Sequence, residues 1–142
     1  MTLELHPFGT YRVSSDLSSQ NPGPVAFRSA SRLHEGSWTN DLFGTATLLF
    51  GMGGYLQGEH GAHIQIRAAF EAGDGTRFFI EYISRGEMKS HAAGKTPVML
   101  AGQIDIDPAN ARYAWLNHTQ IVGRGMLTHD PLMQTYEMYA LR

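Results

Sequence analysis

The side chains best equipped for chemistry fall into two groups. The first lies on two alternating segments joined by Gly73-Asp74-Gly75, a turn signal because Asp-Gly tolerates positive φ. In residues 62–71, Ile64, Ile66, Ala68 and Phe70 share one face, and His63, Gln65, Arg67 and Glu71 share the other. In residues 77–86, Phe78, Ile80 and Tyr82 alternate with Phe79, Glu81, Ile83 and Arg85. A glutamate beside an arginine has the make-up of a general base or a substrate clamp. If the polar faces line the lumen of a barrel, His63, Arg67, Glu81 and Arg85 share a cavity. If the apolar faces fill it, those residues face water. A one-residue slip interchanges the two arrangements, and alternation does not choose between them.

The second group runs from Ala111 to Gly125. It packs Tyr113, Trp115, Asn117 and His118 into a few residues before the β-like run that starts at Thr119. Trp115 and Tyr113 suit a rim anchor or plug, and Asn117 suits a cap or turn. His118 is the ring nitrogen beside this block, and histidine is the usual acid/base group near neutral pH. Tyr82 and Tyr136 are phenols able to donate to a ligand carbonyl or enolate. The expected catalytic set is Glu81, His118, Arg67 and Tyr82. The expected ligand-binding set is His63, Tyr55, Trp115, Tyr136 and Arg85.

Other chemistries are disfavoured. His60 and His63 are three apart beside Glu59, but i and i+3 on a strand face opposite ways. No His-Glu-x-x-His pattern is present, so no metal site is expected. The run from Gly51 to Gly61 is glycine-rich, yet no Lys-Ser/Thr and no helix follow; it reads as a lid or wide hairpin connection rather than a phosphate cradle. No Gly-x-Ser-x-Gly elbow exists. With no cysteine, disulfides, thiolate metal sites and thiol nucleophiles are excluded.

The elements that must position these residues are strands. No long 3.6-residue periodicity appears anywhere. Strands are expected over 8–14, 25–38 (with Gly36 as a bulge or bend), 42–50, 62–71, 77–86, 97–106, 119–127 and 132–141. Loops are expected over 14–24 and 87–96, with a helical turn near 109–116, where Asp107 can cap it. The expected fold is all-β: a closed antiparallel barrel of about eight strands, in one domain spanning 1–142, with an N-terminal strand and loop over 1–24 and the barrel proper over 25–142.

The 142 residues suffice for one core without staples. Only 17% are charged, the net charge is −2, and 16 are glycine. That balance argues against a nucleic-acid partner or a membrane surface. The low charge suits a subunit that hides surface in a homo-oligomer, a dimer or trimer. Residues Met1 to Pro7 lack a basic region and an apolar core, and no apolar run reaches the roughly 18 residues of a membrane span. A soluble, cytoplasmic protein is expected.

Residues Arg112-Tyr113-Ala114-Trp115-Leu116-Asn117 and Val122-Gly123-Arg124-Gly125 carry a resemblance. So do Tyr136-Glu137-Met138-Tyr139, Gly44, Gly53-Gly54, Arg67 and Asp74-Gly75. The chain resembles the domain of unknown function 3237 family (DUF 3237) over most of its length from about residue 22. The Tyr-Ala-Trp-Leu-Asn block is the specific element. The resemblance implies a small closed β-barrel, similar in architecture to allene oxide cyclase and dirigent proteins (calycin-like), with a ligand-sized lumen and an oligomeric state. The chain departs from the family pattern at Tyr55-Leu56-Gln57, Gln65, Glu81 and His118, which points to a retuned site.

These readings converge on a cofactor-independent enzyme. It would hold a small hydrophobic or aromatic molecule in a barrel cavity and perform acid/base isomerisation, cyclisation or a lyase step. The alternatives are a non-catalytic binding or carrier barrel using the same cavity, and a structural subunit whose Trp115 block seals an interface.

Overall fold

Alternation decides the inside of this protein. Ile64, Ile66, Ala68 and Phe70 are buried, as are Phe78, Ile80 and Tyr82, while His63, Gln65, Arg67, Glu81 and Arg85 between them are exposed. The computed structural model describes residues 1–16, 19–22, 27–58, 61–87, 94–129 and 131–142. Its strands are β1 (Leu5–Ser15), β2 (Ser19–Pro22), β3 (Phe27–Asn40), β4 (Gly44–Gly58), β5 (Gly61–Glu71), β6 (Arg77–Gly86), β7 (Lys95–Ile106), β8 (Gln120–His129) and β9 (Leu132–Leu141). A 3₁₀ turn, Ala114–His118, separates β7 from β8.

Strands β3 to β9 form an antiparallel meander, and β1 pairs with both β9 and β3. Eight strands close a barrel, and β2 extends the pairing along β3. The N-terminal strand is thus part of the wall. An eight-stranded barrel is just wide enough for side chains to fill. The end around the 3₁₀ turn is filled with rings: Phe8, Trp38 and Phe43 pack edge-to-face, and Phe43 and Phe70 each stack on Phe78. Such pairs each add about 0.5–1.5 kcal/mol beyond their area burial. No described helix is long and apolar enough to cross a membrane.

Three expectations need correction. The glycine run is not a lid: residues 51–58 belong to β4 and pair with β3 and β5. Glycine serves there because the inward positions are crowded. A Cβ on Gly51 would lie 2.5 Å from Leu33 Cδ1, and one on Gly53 would lie 2.7 Å from Ile66 Cδ1. The loop expected over 14–24 contains β2, and the helical turn lies at 114–118. Most of the 87–96 loop falls outside the described residues. The irregularity expected at Gly36 is present beside it, as a register shift against β1 between Ser14 and Ser15.

Candidate functional site

At the end of the barrel away from the aromatic plug, the inward positions are small or polar and the filling stops. A partly open cavity of about 320 Å³ remains. Gly53, Tyr55 and Gln57 of β4, Ile64 and Ile66 of β5, Leu127 and His129 of β8, and Leu132 and Gln134 of β9 line it, with Ser15 and Ser31. Ile64, Ile66, Leu127 and Leu132 give it apolar walls, and Ser15, Ser31, Tyr55, Gln57, His129 and Gln134 set polar groups among them, the make-up of a small-molecule site.

Gln134 ties the cavity to a polar cluster in the core. Its Oε1 accepts from Tyr82 Oη at 3.0 Å and from Tyr136 Oη at 2.9 Å. Tyr136 Oη lies 2.6 Å from Ser84 Oγ, which also reaches the Met99 carbonyl at 3.1 Å. Three hydroxyl protons serve four short contacts, so proton positions can shift along this chain by hydroxyl rotation alone. Burial pushes the Tyr82 and Tyr136 phenols well above their ordinary range, and does the same to Tyr11 beside them. All three stay neutral donors at physiological pH, because their anions would be formed away from water. Among the described residues, Tyr11 Oη, though close to Tyr82, completes no hydrogen bond of normal geometry, and neither does the buried Ser29 Oγ. At the rim, Tyr55 Oη donates to Gln57 Oε1 at 3.1 Å, and burial raises its phenol too. His129 Nε2 lies 3.4 Å from Thr96 Oγ1, the distal end of a buried threonine.

The expected site residues separate. Tyr82, Tyr136 and Tyr55 lie at or directly behind the cavity. Glu81, Arg67, His63 and Arg85 do not: their strands turn these positions outward, because the apolar alternates fill the barrel. Arg67 and Glu81 form an exposed ion pair at 3.2 Å on the outer face. His63 and Arg85 are cross-strand neighbours on that same face. His118 is exposed at the opposite end of the barrel.

Trp115 is also far from the cavity. Its ring packs edge-to-face on Phe8 at 6.0 Å, and the Arg142 guanidinium stacks over it at 4.5 Å. The rest of its block is equally structural. Tyr113 Oη donates to Asp74 Oδ2 at 2.6 Å, locking the β5–β6 turn. Asn117 accepts from the Ile106 N–H at 2.8 Å and donates to the Ile106 carbonyl at 2.9 Å. The Tyr113–Asn117 block is the anchor that closes the plugged end.

Gln134, Ser84, Ser31 and His129 are site residues that sequence reasoning passed over. Two of them carried a signal: Gln134 interrupts an apolar alternation between Leu132 and Tyr136, and Ser84 one that runs through Phe78, Ile80 and Tyr82. Among the described residues, no cluster of three or more His, Asp or Glu could hold a metal ion; His60, half of the pair considered for one, lies outside them.

No family model and no curated protein matches the chain. Solved structures do match over its whole length. A β-barrel-like protein of Acinetobacter baumannii superposes with a TM-score of 0.76 at 19% identity, covering 100% of this chain and 98% of that one. A protein of unknown function from Clostridium acetobutylicum gives 0.82 at 13% identity, covering 99% and 100%. A structure described as an enzyme from Penicillium herquei gives 0.67 at 12% identity, covering 99% and 94%. At these identities the likeness shows a shared closed β-barrel.

Proposed function

We propose that this barrel binds a small, mainly apolar molecule that carries an acceptor oxygen, seated in the β4–β5–β8–β9 cavity against Gln134. One observation carries the reading: a cavity of about 320 Å³ with apolar walls is lined by an amide whose oxygen is already taken by two buried phenols. What Gln134 has left to offer is its N–H pair, and a ligand carbonyl or ether oxygen satisfies it. The neutral phenols polarise that amide, which strengthens it as a donor. The described lining residues include no carboxylate or guanidinium, which fits an uncharged ligand. On this reading the chain is a member of the DUF 3237 family.

A thermal-shift screen of aromatic and terpenoid ketones and ethers tests it. Stabilisation is expected with the native chain, reduced in Gln134→Leu and abolished in Ser31→Phe, which fills the cavity. Glu81→Gln, on the outer face, leaves it unchanged. Stabilisation that survives Ser31→Phe sinks the proposal.

A second reading is favoured by His129. The His129 imidazole and the Tyr55 phenol both line this space, which is the equipment for cofactor-independent acid/base isomerisation, cyclisation or elimination. The enzyme of Penicillium herquei with this fold lends it weight. Turnover lost in His129→Ala, with binding of the same compound retained, supports catalysis. Turnover retained in that variant removes it.

A further inference from the structure

On the outer side of the β5–β6 hairpin, basic side chains meet a cross-strand neighbour at three places, and one breaks the pattern. Glu71 lies opposite Arg77 and Arg67 opposite Glu81, each as an ion pair. His63 lies opposite Arg85, a base against a base. Like charges placed directly across a strand pair destabilise it. Among the described residues neither side chain makes an ion pair or a hydrogen bond, and nor does Arg28 on β3. A partly open groove of about 470 Å³ lies between Arg28 and His63. It spans only the adjacent strands β3, β4 and β5. The register sets the row Arg28–Leu56–His63 beside the row Ala30–Gly54–Gln65. Arg28, Ala30, His63 and Gln65 are exposed, so the groove is on the outer face. Gly54 keeps it hollow, and the wall does not require glycine there. A Cβ on Gly51 or Gly53 would strike the core, but one on Gly54 would meet only the Ser29 carbonyl oxygen, at 4.0 Å, and its φ is not positive. Glycine inside a paired strand weakens it and leaves room for a ligand to approach the backbone.

We infer that this groove binds a small organic carboxylate with an apolar body. Arg28 offers its guanidinium fork to the carboxylate, a strong and directional contact. His63 and Gln65 donate from the opposite edge, and the apolar body lies over Ala30, Gly54 and Leu56. The anion supplies the negative charge that the His63–Arg85 pair lacks. The described lining residues include no carboxylate to compete with it. Gly54 and Tyr55 also border the interior cavity, so the two spaces stand back to back across β4. The chemistry of their linings differs: the groove carries a guanidinium, and the described lining of the interior cavity carries none.

Titration of the isotope-labelled full chain with benzoate, followed by NMR, tests this. Saturable shifts are expected at Arg28, Leu56, His63 and Gln65. Benzyl alcohol lacks the charge and inorganic phosphate lacks the apolar body, so each should bind at least about tenfold more weakly. Arg28→Gln should weaken benzoate by about 10- to 100-fold. Arg77→Gln removes the same charge at the far end of the hairpin and should leave binding unchanged. Arg85→Glu places a carboxylate opposite His63 and should weaken benzoate about tenfold. Gly54→Val should keep the fold, because its Cβ meets no clash and valine suits a strand, yet lose the binding. Benzoate binding that survives Gly54→Val overturns the inference. So do equal losses in Arg28→Gln and Arg77→Gln, phosphate bound as tightly as benzoate, or no saturation up to about 50 mM benzoate. Shifts centred on Leu127, Leu132 and Gln134 would put the anion in the interior cavity and overturn it as well.

Discussion

Asn117 closes a gap in the barrel wall, and removing it should be costly at a site remote from the cavity. The β7–β8 ladder ends at the Gln103–Gln120 pair, so the end of β7 lacks a partner strand on that side. Asn117 fills the vacancy, binding both the N–H and the C=O of Ile106, whose side chain is buried. Asn117→Ala leaves one backbone donor and one acceptor unsatisfied, at about 1–3 kcal/mol each if water does not reach them. With some access at the barrel rim, a total of about 2–4 kcal/mol is expected. At about 3 °C per kcal/mol for a chain of this length, the melting temperature falls by about 6–12 °C in a calorimetric scan. Asn117→Asp is the sharper test. The carboxylate still accepts from the Ile106 N–H but has no proton for the Ile106 carbonyl, so at neutral pH it should be at least as damaging as alanine. Its protonated form can donate, so the folded state raises its pKa. The stabilisation is then present below the unfolded carboxylate value and lost as pH rises through the folded one. Relative to the native chain, Asn117→Asp should recover on acidification while Asn117→Ala does not. An alanine variant melting within 2 °C of the native chain, or parallel pH profiles for both variants, would refute the clamp.

Two further outcomes follow from the same geometry. Asp74 is held down to about 2, first by the Tyr113 hydroxyl and then by the Thr76 backbone, so its contribution is complete above the ordinary carboxylate range and is lost as pH falls from about 4 to 2. Asp74→Asn should flatten that part of the acid limb in pH-dependent thermal melts, and an unchanged limb contradicts the assignment. Gly125→Ala would place a Cβ 1.7 Å from the Thr135 carbonyl oxygen and should cost over about 3 kcal/mol by urea titration, whereas Gly58→Ala meets nothing within 4 Å and should be neutral or stabilising by about 0.5 kcal/mol. Equal effects at the two glycines would show that crowding does not explain them.

The strands and their closure were legible because alternation and turn residues are local signals. The Asp74-Gly75 turn and the two faces of β5 and β6 stand as read from the sequence. What alternation lacks is a direction. A lumen lined by His63, Arg67, Glu81 and Arg85 would have to desolvate several charges. The opposite arrangement buries Phe70, Phe78, Ile80 and Tyr82 in a barrel that side chains can fill. Weighing those two costs favours the observed register. Glycines misled for a different reason. In Gly51 to Gly58 they signal a loop by default, and their role as inward strand positions depends on Leu33 and Ile66, which arrive from other strands. Looking for charge led to Arg67, Glu81, His63 and Arg85 on the outer face, whereas the expected Tyr55, Tyr82 and Tyr136 do lie at or behind the cavity. In a filled barrel an exposed Arg–Glu pair is what a water-facing side ordinarily carries. A glutamine between Leu132 and Tyr136, or a serine continuing Phe78-x-Ile80-x-Tyr82, is a polar group where burial makes it expensive unless satisfied. Gln134 lines the cavity while its oxygen is taken by Tyr82 and Tyr136 in the core. That polar interruption of an inward face, rather than any titratable cluster, is what marks the candidate site in this fold.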